Sequence, residues 1–90
     1  MIFAAYQRFQ KIRNDSECNS KDELLGTFST VYVCSRACSR TTGCKYFIYG
    51  KVPSEQGTCK MEKTLSENCP EGWEDDTKYD FYKQGNVLYK

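Results

Sequence analysis

The 90-residue chain contains no histidine. The side chain that most often acts as general base or proton shuttle near neutral pH is therefore missing, along with the imidazole of most catalytic zinc sites. Neither sign of charge dominates. Thirteen basic and 12 acidic residues leave a net charge of +1, and with the two signs read as interspersed, no nucleic-acid partner is expected. No run approaches the ~18 apolar residues of a spanning helix, so no transmembrane segment is expected. Met1-Ile2-Phe3-Ala4-Ala5 lacks the basic start and long apolar centre of a secretory leader.

What the chain does have is six cysteines. A chain this short buries only about 60–65% of the surface its unfolded form exposes, so its core needs a supplement. An even, dense set of cysteines supplies one as a disulfide framework in an oxidising compartment: extracellular, cell-surface or organelle lumen. The missing leader then implies a processed product, an excised module or part of a longer precursor. Zinc fits poorly, because no C-x2-C pair occurs, histidine is absent, and a four-thiolate site would strand two cysteines. Metal and other cofactors are accordingly not expected.

Residues 1–90 read as one domain, with a core from about 6 to 83 and a tail from 84 to 90. Ile2 to Ile12 has the aromatic and β-branched content of a strand. Asn14-Asp15-Ser16 reads as a turn and is also a glycosylation sequon, the ordinary turn being the preferred reading. Cys18 to Phe28 is expected to be loop-rich. A helix follows, with Ser29 or Thr30 as cap, Val31, Cys34, Ala37, Cys38 and Thr41 at helical spacing, and Gly43 as left-handed stop. Arg36 and Arg40 fall on its solvated face. Lys45–Tyr49, Thr58–Glu62 and Tyr79–Lys83 read as strands, with a polar hairpin loop at 54–57 and an irregular excursion from Thr64 to Thr77. The fold class is α+β: one helix packed on a twisted antiparallel sheet of about four to five strands.

Cys34 and Cys38 lie four apart on one helix face, so both point into whatever packs beneath. Each needs a partner there. Cys44 opens the next strand and Cys59 lies across the hairpin, which favours a nested set: Cys38–Cys44, Cys34–Cys59 and, outermost, Cys18–Cys69.

Cys34-x3-Cys38-x5-Cys44-x2-Phe47-x-Tyr49 resembles the central signature of the PAN/apple domain family, in which a helix is stapled to a twisted antiparallel sheet. Cys18 stands where that family's optional outer cysteine falls. Gly57-x-Cys59 resembles its return strand, and Tyr79-Asp80-Phe81-Tyr82 its closing strand. The likeness runs from about Tyr6 to Lys83; the acidic stretch from Cys69 to Asp80, which carries Trp73, departs from it. The resemblance implies the same nested pairing, and core roles for Phe47 and Tyr49. It also implies binding without chemistry, to protein or to carbohydrate. The family's contact surface varies between members, so no contact residue carries over.

No enzyme is expected, since paired cysteines leave no thiolate and no carboxylate pair looks poised for acid–base work. Glu71, Glu74, Asp75, Asp76 and Asp80 lack the spacing and glycine of a calcium loop and read as a solvated acidic segment. Tyr6, Phe9, Phe47, Tyr49, Phe81 and Tyr82 are expected in the core. Trp73, between Gly72 and acidic residues, is either an exposed contact or a lid over the sheet end. The leading expectation for function is a non-catalytic binding module for protein or glycan. The alternative is a small structural accessory subunit of a larger assembly on the lumenal or extracytoplasmic side of a membrane, for example an algal photosynthetic complex, docked through the tail. A redox-labile domain is a third reading.

Overall fold

The computed structural model describes residues 9–85 and, as backbone alone, the short pairing of Ala5–Tyr6 with Val87–Leu88. In chain order the elements are β1 (Ala5–Tyr6), β2 (Gln10–Arg13), β3 (Ser16–Cys18), β4 (Asp22–Thr27), α1 (Val31–Ser39), β5 (Tyr46–Gly50), β6 (Thr58–Glu62), β7 (Trp73–Asp75), β8 (Tyr79–Lys83) and β9 (Val87–Leu88). Five strands form one antiparallel sheet in the order β2-β8-β5-β6-β4. Two-stranded ribbons, β3-β7 and β1-β9, complete the fold.

The centre of the sheet follows from β5. Its run of aromatic and β-branched side chains is buried almost throughout, as a strand covered on both faces requires. Alternation sends Phe47 and Tyr49 to the α1 side and Tyr46 and Ile48 to the other. On the α1 side Phe47 stacks on Tyr82, its direct partner in β8, at 5.1 Å, and Phe9 meets both rings edge-on. On the opposite side Tyr46 stacks on Phe81 at 5.7 Å. The β3-β7 ribbon covers this second cluster, which contains Cys18, Cys69 and Tyr79. Phe47 and Phe81 are fully buried; Tyr49 is half-buried, its hydroxyl donating to the Phe28 carbonyl at 2.6 Å. Phe9 is also half-buried, and Tyr6 lies outside the residues whose side chains are described.

Helix α1 starts at Thr30, whose hydroxyl accepts from the Val33 N–H at 3.2 Å. Cys34, Ser35 and Cys38 form its buried stripe. Its end differs from expectation. Arg40 is the cap and keeps helical dihedrals, while the left-handed Gly43 sits three residues further on, in the turn leading to Cys44. Side chains take over the final carbonyls: the Ser39 hydroxyl donates to Arg36 O and the Thr41 hydroxyl to Ala37 O.

Three segments read as loop or as one strand are organised differently. The polar stretch after Cys18 holds β4, an edge strand whose ladder with β6 supplies the order that its side chains do not signal. The excursion after Thr64 contains β7, paired residue for residue with β3. The first strand is split, with β1 leaving the main sheet to pair with β9; the tail from 84 thus docks on the chain's own N-terminal segment. The rest of the expected strand, residues 2–4 and 7–8, lies outside the described residues.

Candidate binding surface

Three disulfides position everything else. Cys34–Cys59 fastens α1 to β6 and Cys38–Cys44 ties its last turn to the entry of β5, with Cα separations of 5.6 and 5.3 Å. Cys18–Cys69, at 5.8 Å, joins β3 to the segment before β7. No cysteine is free. Such a framework is compatible with an oxidising extracellular or lumenal compartment. No helix among the described residues is long and apolar enough to cross a membrane.

Register places Trp73 opposite Cys18. Its ring meets Phe81 edge-on at 4.8 Å, and the Arg13 guanidinium sits 4.8 Å above its centroid. Arg13 is held there by its Nε–H donating to the Ser16 hydroxyl at 3.1 Å. Trp73 is therefore half-buried, a lid on the second cluster with a cation across its face.

The acidic residues from Glu71 to Asp80 do not gather into one site. Asp80, with its side chain only 8% exposed, is clamped by Lys51 at 2.8 Å, Lys11 at 3.3 Å and the Asp15 N–H at 2.9 Å. Burial pushes its carboxyl up, but those three partners outweigh burial and hold it below its ordinary value. Glu71 accepts from the Thr64 hydroxyl at 2.8 Å, while Glu74 and Asp75 are exposed. Asp76 lies beside Glu17 at the ribbon. Burial and the bond to Asp76 raise Glu17 to about 8, and the same bond lowers Asp76.

A different carboxylate group is assembled by the register of β3, β4 and β6. Oxygens of Glu17, Asp22 and Glu62 lie within 4.8 Å of one another. Glu62 is wholly buried and is raised to about 7, chiefly by burial. Its oxygens accept from the Cys18 N–H at 3.2 Å and the Ser20 hydroxyl at 2.8 Å. The three carboxylates carry six oxygens, the lower bound of a calcium shell, and both of those on Glu62 already accept from protein donors. Cys18, Cys69 and Glu71 also converge, but both sulfurs are spent in a disulfide and offer no thiolate.

The outer face of α1 is built otherwise. Val33, Arg36, Ala37 and Arg40 follow at intervals of three and four and form one stripe. With Phe28 they line an open groove of about 500 Å3. Among the described residues neither guanidinium has a hydrogen-bond or ion-pair partner. Helical spacing alone puts both arginines in solvent and does not show the groove beside them. The missed signal is local: from Leu24 to Ser54 the chain has no Asp or Glu, and Arg36, Arg40, Lys45 and Lys51 are its only charges. Signs counted over the whole chain hide this acid-free stretch.

Fold and framework together define a class, the small α+β module stapled by three disulfides. Comparison of the chain with protein-family models, curated proteins and solved structures finds no match, so the PAN/apple resemblance rests on residue spacing alone.

Proposed function

We propose that this domain is a non-catalytic binding module that recognises protein or glycan in an oxidising compartment. The observation that carries this reading is the groove over α1. Its floor is apolar, two guanidiniums beside it have no partner among the described residues, and two disulfides lock the helix from behind. A surface of this kind is preorganised, so little conformational entropy is lost when a partner docks. The spacing of Cys34, Cys38, Cys44, Phe47 and Tyr49, which resembles that of PAN/apple modules, supports the same reading. The alternative, a structural accessory subunit of a larger assembly, draws on the near-neutral charge, the bare single domain and the tail; of these, the tail pairs through Val87–Leu88 with Ala5–Tyr6 of the same chain. A glycan array and a pull-down with the oxidised domain test the proposal. At least one is expected to return a reproducible ligand; two empty results would overturn it.

A further inference from the structure

We infer that the groove over α1 takes an acidic peptide segment of a partner protein, with one apolar side chain on the groove floor and carboxylates on Arg36 and Arg40. This rests on the binding-module reading and narrows it to one surface and one ligand chemistry.

The floor is fixed before any ligand arrives. The Phe28 N–H donates to Gly57 O at 2.8 Å and its carbonyl accepts the Tyr49 hydroxyl at 2.6 Å, so both backbone polar groups beside the ring are held. Val33 and Ala37 stand on a helix whose opposite face is bonded through Cys34 and Cys38. A volume of about 500 Å3 lies within the roughly 300–1,000 Å3 of ligand pockets. It accommodates one leucine- or phenylalanine-sized side chain and the adjoining backbone.

Charge selects the rest of the ligand. Arg36 and Arg40 are one helical turn apart, and each presents a planar fork of donors matched to a carboxylate. Nothing at the helix end competes for them. The carbonyls of Arg36, Ala37 and Cys38 already receive Arg40 N–H, Thr41 N–H and the Ser39 and Thr41 hydroxyls. Nor is an internal acid close by in sequence, since the nearest on either side are Glu23 and Glu55. The chain's grouped carboxylates, Glu17, Asp22, Glu62 and Asp76, sit instead around the β3-β7 ribbon and the neighbouring ends of β4 and β6.

The apolar floor decides for peptide over glycan. A sugar ring carries hydroxyls that would need partners, and Phe28, Val33 and Ala37 offer no polar side-chain atom. A sulfated glycan would use the arginines and leave the floor uncovered. An acidic peptide with an apolar anchor satisfies both parts.

The test pans a random dodecapeptide display library on the immobilised oxidised chain and measures the leading synthetic peptide by calorimetry. Heparin oligosaccharide serves as the glycan probe. The expected consensus pairs one large apolar residue with two or more carboxylates. Affinity should fall roughly tenfold for each of Arg36→Gln and Arg40→Gln, and weaken with added salt. Val33→Ser should weaken binding with both charges in place. All three positions are exposed, so the variants should keep the wild-type circular dichroism and melting midpoint. Selected peptides without acids, or binding unchanged in the double arginine variant, would overturn the groove assignment and leave the binding-module reading standing. Heparin binding that depends on both arginines, with no peptide enriched, would overturn the choice of peptide. Failure of every peptide, together with an empty glycan array and pull-down, would bring down both.

Discussion

Glu62 has no exposed surface, and its carboxyl is raised from 4.5 to about 7, mainly by burial against the partial relief of the Cys18 N–H and Ser20 hydroxyl. Between those two values the folded chain binds a proton that the unfolded chain releases. The stability this group confers is therefore full below pH 4.5 and is lost as pH rises through 7. At 1.36 kcal/mol per pH unit, the interval amounts to roughly 3 kcal/mol. Glu17, raised to about 8, acts in the same direction, although it is only half-buried and solvent screening weakens its effect. Asp80 is lowered, so its contribution is lost only on acidification below the ordinary aspartate range, outside this window. Glu62→Gln removes the titration and keeps the shape; its amide oxygen can accept from Cys18 N–H while its NH2 donates to Ser20. Urea unfolding followed by Trp73 fluorescence between pH 4.8 and 8.5 reads the result. Wild-type stability should decline with rising pH. The variant should decline less, gaining roughly 3 kcal/mol over wild type at pH 8.5 and lying within about 1 kcal/mol of it at pH 4.8. Parallel curves for the two proteins would refute the reasoning.

Replacing Cys34 and Cys59 together by alanine opens a loop with a sequence separation of 25, and the chain-entropy model sets the cost at about 3.5 kcal/mol; the same exchange at Cys38 and Cys44, separation 6, should cost only about 2 kcal/mol by chemical denaturation. A Cβ on Gly57 would stand 2.5 Å from the Phe28 carbonyl oxygen at φ +83°. Gly57→Ala should therefore lower stability by about 2 kcal/mol or more and shift the Phe28 and Tyr49 resonances. Lys51→Met strips Asp80 of its 2.8 Å partner and leaves it with Lys11 and the Asp15 N–H. An NMR titration should show the Asp80 carboxyl moving up from its lowered value, with the acid-induced loss of stability beginning at higher pH.

The parts of the fold that show in the sequence are those where one residue type settles the matter. Thr58–Glu62 and Tyr79–Lys83 are strands with the expected bounds because aromatic, β-branched and cysteine positions mark them. Helical spacing alone puts Cys34 and Cys38 on one face, and their partners follow from what can lie beneath. The strands β3, β4 and β7 are short, polar and peripheral, and pairing with a neighbour rather than side-chain period holds them. For the same reason the meeting of Glu17, Asp22 and Glu62 is hidden: it exists only once the registers of three strands are fixed. Glu62 also breaks alternation, since it and Met61 are both buried at the end of β6. The α1 groove was half-legible. Arg36 and Arg40 were visible as one exposed face, but Phe28 comes to it from the β4–α1 connection, whose path only the hairpin contacts at Gly57 and Tyr49 determine.

Everything proposed for the outer face of α1 depends on its inner face being bonded as described. Trypsin can cut at Lys21, Arg36, Arg40, Lys45 and Lys60, which separates all six cysteines from one another. Non-reducing digestion of native material with mass mapping therefore reads the framework directly. The structure predicts three linked pairs, Cys18–Cys69, Cys34–Cys59 and Cys38–Cys44, with no alkylatable thiol. Free thiols at Cys34 or Cys38, or a crossed pairing between them and Cys18 or Cys69, would contradict it.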